Sequence, residues 1–190
     1  TDTGLTDFGR RVIRRMEELG ILLCCSHTGY RTAREAMEFA QKPVIFSHSN
    51  ALALRDHPRT IPDDLMIACA RTGGVVNING IGEFLGRNDN STEAIVRHIR
   101  YITDRIGPDH VGLGLDYVFD AQELDDYIRN NPQLFPADAG YAGGARMVEP
   151  ERIPVIVDLL LAAGWSDDDV RGLLGANNYR LAAAIWRAPR

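Results

Sequence analysis

Four short apolar runs alternate along the chain with longer segments of helical periodicity. The runs cover residues 21–25, 44–46, 74–78 and 111–115. Each is too short for a helix, and continuous apolar character without polar alternation is typical of strands buried on both faces of a parallel sheet. The pattern therefore predicts about four parallel strands with flanking helices, an α/β fold.

Helices are predicted between and after these runs. The apolar stripe of the first, which Gly20 ends, consists of Phe8, Val12, Met16 and Leu19. Three further helices are predicted from their periodicity, over 32–40, 151–163 and 179–186. Three more are predicted from polar residues that could cap them: one from Thr60 to Gly73, one from an Asn90–Glu93 capping box to Ile106, and one that begins at a Ser166–Asp169 cap.

Polar residues follow the ends of the predicted strands. A serine and then a histidine, His27 or His48, follow the first two runs. Asn77 lies within the third run and Asn79 directly after it, and Asp116 follows the fourth. Catalytic groups gather at the carboxyl ends of barrel strands, which favours a barrel over a doubly wound sheet. Since a closed barrel needs eight strands, residues 1–190 are predicted to form a single partial domain, the C-terminal half of a (β/α)8 TIM-type barrel.

Composition narrows the range of partners. Net charge is −5 and the pI is about 5.5, and the scattered basic residues argue against a nucleic-acid partner. The apolar runs are too short to span a membrane. Three cysteines are too few for a disulfide framework and favour a reducing, cytoplasmic location; Cys24 and Cys25 are predicted to point to opposite faces of a buried strand. The chain opens without Met or a signal peptide, as though cut from a longer protein.

His27, His48 and Asp116 are the strongest candidates for chemistry. Neutral imidazole is a preferred zinc ligand, and hydrolytic zinc sites combine histidines with carboxylates. Asp116 at the same rim could orient a water, accept its proton or ligate a metal. The alternatives are hydrogen-bonded structural histidines and a capping or loop aspartate. Gly112 and Gly114 are interpreted as small residues that allow close packing.

Arg59 lies in the loop beyond His48, where a guanidinium could bind a substrate carboxylate through two hydrogen bonds. The alternative is a surface arginine paired with Asp56 or Asp63. In the same loop, His57 could donate a hydrogen bond to the site. The other two histidines, His98 and His110, are interpreted as structural or solvated, and Asp167, Asp168 and Asp169 as the start of a helix.

An ordered set of motifs resembles the membrane (renal) dipeptidase family. They are Leu5-Thr6-Asp7-Phe8-Gly9, Ser26-His27, Pro43-Val44-Ile45-Phe46-Ser47-His48-Ser49-Asn50, Asp56-His57-Pro58-Arg59-Thr60-Ile61-Pro62-Asp63-Asp64, Gly112-Leu113-Gly114-Leu115-Asp116 and Leu173-Leu174-Gly175-Ala176-Asn177. The resemblance covers nearly the whole chain, and the ordered set is highly specific.

The resemblance implies a (β/α)8 barrel that holds two zinc ions and hydrolyses dipeptides. It implies that His27 and His48 are ligands of one zinc, that Arg59 binds the C-terminal carboxylate of the substrate, and that Asp116 serves the proton transfers around the attacking water. The family's remaining ligands, a His-x-Asp pair and a bridging glutamate, have no counterpart in the printed sequence, so these 190 residues are expected to be inactive alone.

Two other functions stay open from the sequence. One is another barrel amidohydrolase, such as a deaminase or lactonase, and the other is a non-catalytic metal-binding relative of the barrel. A small dipeptide or similar N-acyl amino acid is the expected substrate, and further copies of the chain are a possible partner.

Overall fold

The computed structural model describes residues 2–137, 140–141 and 144–186. Three parallel strands, β1 (Ile45–Phe46), β2 (Val75–Ile78) and β3 (Val111–Leu113), form one sheet in the order β1-β2-β3. Val75 of β2 is in register with Ile45, and Val76 with Val111. The predicted α/β class with a parallel sheet is therefore confirmed; the single partial domain over 1–190 stays a prediction.

Nine α-helices accompany the sheet in the described part of the chain. Before and between the strands lie α1 (Asp7–Leu19), α2 (Tyr30–Phe39), α3 (Asp63–Arg71), α4 (Gly82–Leu85) and α5 (Thr92–Ile106). After β3 come α6 (Ala121–Asn130), α7 (Ile153–Ala162), α8 (Asp167–Arg171) and α9 (Asn177–Ile185), and the segment Gly172–Ala176 joins α8 to α9 through a kink at Gly175. Short 3₁₀ turns cover Pro108–His110 and Pro150–Arg152. None of the described helices is long and apolar enough to cross a membrane.

Both faces of the central strand are covered. All four residues of β2 are buried, as continuous apolar character predicts. Val76 and Ile78 belong to the main core, to which α5 contributes Ile95, Ile99 and Ile102. On the alternate positions, Val75 packs with Leu181 and Ile185 of α9. The sheet is thus held firmly enough to fix the positions of the loops at its carboxyl end.

The first predicted strand differs from the prediction. Residues 21–25 form only one parallel bridge, between Cys24 and Ile45. Cys25 is buried but Cys24 is exposed, so the two cysteines do point to opposite faces, yet only one is a core residue. Only two backbone hydrogen bonds join this segment to β1, from the Cys25 amide to the Ile45 carbonyl oxygen and from the Ile45 amide to the Leu23 carbonyl oxygen, so the pairing is confined to one bridge.

The apolar stripe predicted on α1 is largely exposed. Phe8 is 68% exposed and Leu19 is 52% exposed, and the only buried residue of α1 is Ile13, which lies outside the predicted stripe. Gly20 ends the helix in the left-handed conformation as predicted. The periodicity identified the helix correctly, but the face that it marks contacts little of the described protein.

Two predicted helix caps are wrong and one is confirmed. The Thr60 hydroxyl donates to the carbonyl oxygens of Arg55 and His57 within its own loop, and α3 begins after Pro62. Ser91, not Asn90, caps α5 by accepting from the Ala94 amide. Loop geometry decides which of several neighbouring polar residues caps a helix. The Ser166–Asp169 capping box is present as predicted.

His98 is a buried structural histidine, one of the two roles that the sequence leaves open. Its Nδ1 accepts from the Ala51 amide (3.2 Å) and its Nε2 lies 3.0 Å from the Leu85 carbonyl oxygen, to which it donates. Burial lowers the pKa of His98 from 6.5 to about 4, because the charged form would lose hydration.

This histidine predicts acid sensitivity of the fold. The unfolded chain takes up a proton at His98 near pH 6.5 but the folded chain only near pH 4, so stability present above pH 6.5 is lost as the pH falls toward 4. The loss is about 3 kcal/mol. We expect the free energy of unfolding in urea to decrease between pH 7 and pH 4 by that much more in the wild type than in His98→Gln. Equal pH slopes for the two proteins would contradict the assignment.

Candidate active site at the carboxyl end of the sheet

The structure brings His27, His48 and Asp116 to one rim. His48 lies two residues beyond β1, Asp116 three residues beyond β3, and His27 three residues beyond the Cys24 bridge. His27 (φ 64°) and Asp116 (φ 57°) adopt the left-handed backbone region, which is costly for residues other than glycine. The chain therefore turns sharply where each side chain enters the rim.

The two histidines face each other through the same ring nitrogen. Their Nε2 atoms lie 2.8 Å apart and their ring centroids 4.9 Å apart. Desolvation lowers the pKa of both; cationic Arg59 lowers both further, while Asp116 opposes these effects. Both imidazoles are therefore held in the neutral form, which is the form that ligates metals.

Asp116 approaches the pair from the far edge of the sheet. Its Oδ2 lies 3.9 Å from His48 Nε2 and accepts a hydrogen bond from the side-chain amide of Asn79 (3.1 Å). Asn79 is fixed in turn by Asn50, which exchanges two hydrogen bonds with the Asn79 backbone. A Cβ at Gly114 would overlap the Ser47 carbonyl oxygen, so glycine permits this approach, in agreement with the close packing predicted.

Arg59 reaches the histidines from the loop after β1. Its Nη2 donates to His27 Nε2 (2.8 Å), and its guanidinium carbon lies 5.1 Å from the centre of the Phe84 ring. Its predicted alternative partner Asp63 is instead paired with Arg105. The predicted pairing with Asp63 is therefore wrong, and the guanidinium belongs to the rim.

Two aromatic residues near Arg59, Phe84 and Tyr141, are not predicted from the sequence, whereas His57 is predicted as a possible hydrogen-bond donor. The His57 ring lies 4.8 Å from Phe84 and 6.1 Å from Tyr141, and the His57 Nδ1 accepts from the Arg59 amide. Burial raises the pKa of Tyr141, whereas the nearby charge of Arg59 lowers it. Phe84 and Tyr141 belong to later segments that carry no metal or catalytic pattern, so no local signal could have identified them. Asn79, by contrast, is one of the polar residues that the sequence places at the strand ends.

The donor set fits part of a metal site. Two ligands of a tetrahedral zinc ion, at about 2.0–2.1 Å each, would place their nitrogens about 3.3 Å apart. His27 and His48 meet this spacing if their rings separate by about 0.5 Å. Over residues 2–137, 140–141 and 144–186, no group of three His, Cys, Asp or Glu side chains could hold an ion. The pair is therefore suited to supply two ligands of a larger set.

Comparison with known proteins identifies the family. The sequence model described as membrane dipeptidase, Peptidase family M19, matches residues 1–135, which include all four candidate site residues. The chain belongs to the membrane dipeptidase family. The resemblance drawn from the sequence motifs is thereby confirmed, and with it the assignment to a family of metallopeptidases.

Members and structural neighbours of the membrane dipeptidase family are longer than this chain. Dipeptidase verJ of Clonostachys rogersoniana is 28% identical over 185 residues, 96% of this chain and 42% of that protein. An amidohydrolase from Pseudomonas aeruginosa superposes with a TM-score of 0.84 at 28% identity, over 98% of this chain and 59% of that one. A metallo peptidase from Rhodobacter sphaeroides, solved with a phosphinate mimic of the dipeptide L-Ala-D-Ala, gives 0.74 at 25%, over 98% and 48%. The chain thus spans about two fifths to three fifths of their lengths.

Proposed function

We propose that this chain supplies one side of the active site of a zinc-dependent dipeptidase. The observation that carries the proposal is the convergence of two neutral imidazoles, a carboxylate and a guanidinium at one rim of a parallel sheet. In this proposal the sheet is the C-terminal part of a (β/α)8 barrel, and the substrate is a dipeptide or a similar N-acyl amino acid. The inactivity of these 190 residues by themselves stays a prediction.

His27 and His48 are the proposed ligands of one of two zinc ions. The pKa values of both rings are lowered, so neither imidazole has to lose a second ring proton at neutral pH before it ligates a metal. Bound zinc would supply a Lewis acid that polarises the scissile carbonyl and makes water more acidic. The structure supports the pairing of the histidines, and the remaining ligands are proposed to come from outside the described residues.

Asp116 is the proposed proton carrier. Its carboxylate lies close enough to His48 to face the same reacting atoms, and Asn79 fixes one of its two oxygens. A carboxylate in this position can take a proton from the attacking water and deliver it to the amine that leaves when the peptide bond breaks. The hydrogen bond from Asn79 restricts rotation of the carboxyl group and so keeps it aimed at the rim.

Arg59 is the proposed clamp for the C-terminal carboxylate of the substrate. A guanidinium presents two parallel donors to a carboxylate, which an ammonium group cannot do. The Phe84 ring supports one face of the guanidinium, and in this proposal the hydrogen bond from its Nη2 to His27 is given up when His27 Nε2 ligates zinc. A free C-terminal carboxylate is thus the feature by which the site would recognise a dipeptide.

The two alternatives are less well supported. A deaminase or lactonase has no requirement for a free carboxylate at the end of its substrate, and a non-catalytic relative has no requirement for a proton carrier beside the ligands. Membership of the membrane dipeptidase family also favours peptide hydrolysis.

The test compares a dipeptide with its C-terminal amide in the complete protein. We expect hydrolysis of the dipeptide only, and Arg59→Lys to lower kcat/KM about 10- to 100-fold, because a point charge cannot replace the two-bond fork. Bound zinc should be unchanged. Arg100→Lys, an exposed conservative exchange on α5, is the control. Equal kcat/KM values for wild type and Arg59→Lys would overturn the role of Arg59, and turnover of a lactone or an aminopurine in place of the dipeptide would overturn the function.

A further inference from the structure

A continuous chain of hydrogen bonds runs beneath and through the histidine pair. The Cys24 thiol donates to Ser47 Oγ (3.1 Å), and Ser47 Oγ lies 2.7 Å from His48 Nδ1. His48 Nε2 lies 2.8 Å from His27 Nε2, which accepts from Arg59. Five side chains are therefore linked in series, in the order Cys24, Ser47, His48, His27 and Arg59.

Arg59 fixes the direction of every bond in this chain. A guanidinium can only donate, so His27 Nε2 is an acceptor, and its single lone pair is shared between Arg59 and His48. The hydrogen between the two rings must then come from His48 Nε2, because a neutral imidazole has one donor and one acceptor. His48 Nδ1 is consequently an acceptor, and the Ser47 hydroxyl must donate to it.

Metal ligation requires the opposite arrangement at His48. The Nε2 atom can ligate only through its lone pair, so the proton of the neutral ring must then be on Nδ1. Nδ1 becomes a donor, and Ser47 Oγ must accept from it. A hydroxyl can do either, since its hydrogen rotates and its oxygen has two lone pairs, and the Cys24 sulfur can likewise donate or weakly accept.

We propose that Ser47 is the positioning residue of His48, which holds the ring in place in both tautomers by reversing the direction of one hydrogen bond. Cys24 is its second partner and takes up the rotated hydroxyl hydrogen in the metal-bound form. The inference rests on the proposed function, in which His48 is a zinc ligand. Ser47 touches neither metal nor substrate in this account; it acts through the imidazole alone.

The first measurement needs no variant. Long-range proton–nitrogen NMR spectra of histidine-labelled complete protein report which ring nitrogen carries the proton. We expect His48 to be protonated at Nε2 after treatment with a chelator and at Nδ1 after addition of Zn²⁺. His48 protonated at Nδ1 in the chelator-treated protein would overturn the inference.

The second measurement is the dissociation constant for Zn²⁺. We expect Ser47→Ala to weaken zinc binding about 10- to 100-fold, as for other residues that orient a ligand from behind. Ser47→Thr keeps the hydroxyl and should recover most of the affinity. Ser49→Ala is the matched control, because Ser49 is a buried hydroxyl two residues away whose side-chain partner is Ser26 and not an imidazole.

The outcomes separate this inference from the proposed function. Zinc bound equally well by wild type and Ser47→Ala, but lost with either histidine, would overturn the role of Ser47 and leave the dipeptidase proposal intact. Zinc bound equally well with and without the two histidines would overturn the proposed ligands, and the role of Ser47 with them. Circular dichroism of each variant checks that a weaker affinity does not reflect unfolding.

Discussion

Complete protein that carries His48→Ala or His27→Asn is expected to lose its bound zinc and at least about 100-fold of kcat/KM toward a dipeptide. A residue that only orients a ligand contributes about 10- to 100-fold to metal affinity, so loss of a ligand itself should cost more. Asparagine is used at position 27 because it tolerates the left-handed backbone there.

Zinc per chain after dialysis and kcat/KM on the same preparations measure this effect. His110→Gln is the control, since His110 contacts the Gly74 carbonyl oxygen away from the rim. Full zinc content and normal turnover in both site variants would show that the ligands lie elsewhere.

Asp116→Asn is expected to lower kcat about 10²- to 10⁴-fold, the usual contribution of a positioned acid or base. Asparagine keeps the shape of the side chain, can still accept from Asn79 and tolerates the positive φ, but it cannot carry the proton. Zinc content should stay at the wild-type value, because the proposed role of Asp116 is proton transfer.

The matched control is Asp104→Asn, an exposed exchange of the same kind on α5. Simultaneous loss of zinc and turnover in Asp116→Asn would reassign Asp116 as a metal ligand. Turnover equal to that of Asp104→Asn would remove it from the reaction.

The sequence predicts the site best for those residues whose positions are determined by the parallel sheet. His27, His48 and Asp116 each follow an apolar run, and the carboxyl ends of parallel strands necessarily share one edge. The reduced first strand was not predictable in this way, because its pairing depends on a distant segment, Ile45 of β1.

Contacts between loops could not be predicted from sequence. Nothing in the local pattern distinguishes an Arg59 that donates to His27 from one that pairs with Asp63, since both partners are plausible by charge and reach. The choice depends on where Phe84 lies, and Phe84 is placed by a separate helix. The same reasoning applies to Thr60. Its hydroxyl donates to the His57 carbonyl oxygen within the loop and therefore does not cap α3.

The left-handed backbone at His27 and Asp116 limits how this site can change in evolution. Few residue types tolerate a positive φ, chiefly glycine, asparagine, aspartate and histidine. A lineage that abandoned catalysis but kept the fold should therefore either keep histidine and aspartate at these two positions or replace them by glycine or asparagine, and should avoid valine, isoleucine and threonine. In such descendants the backbone conformation would still restrict these two positions to a few residue types, long after selection on catalysis had ended.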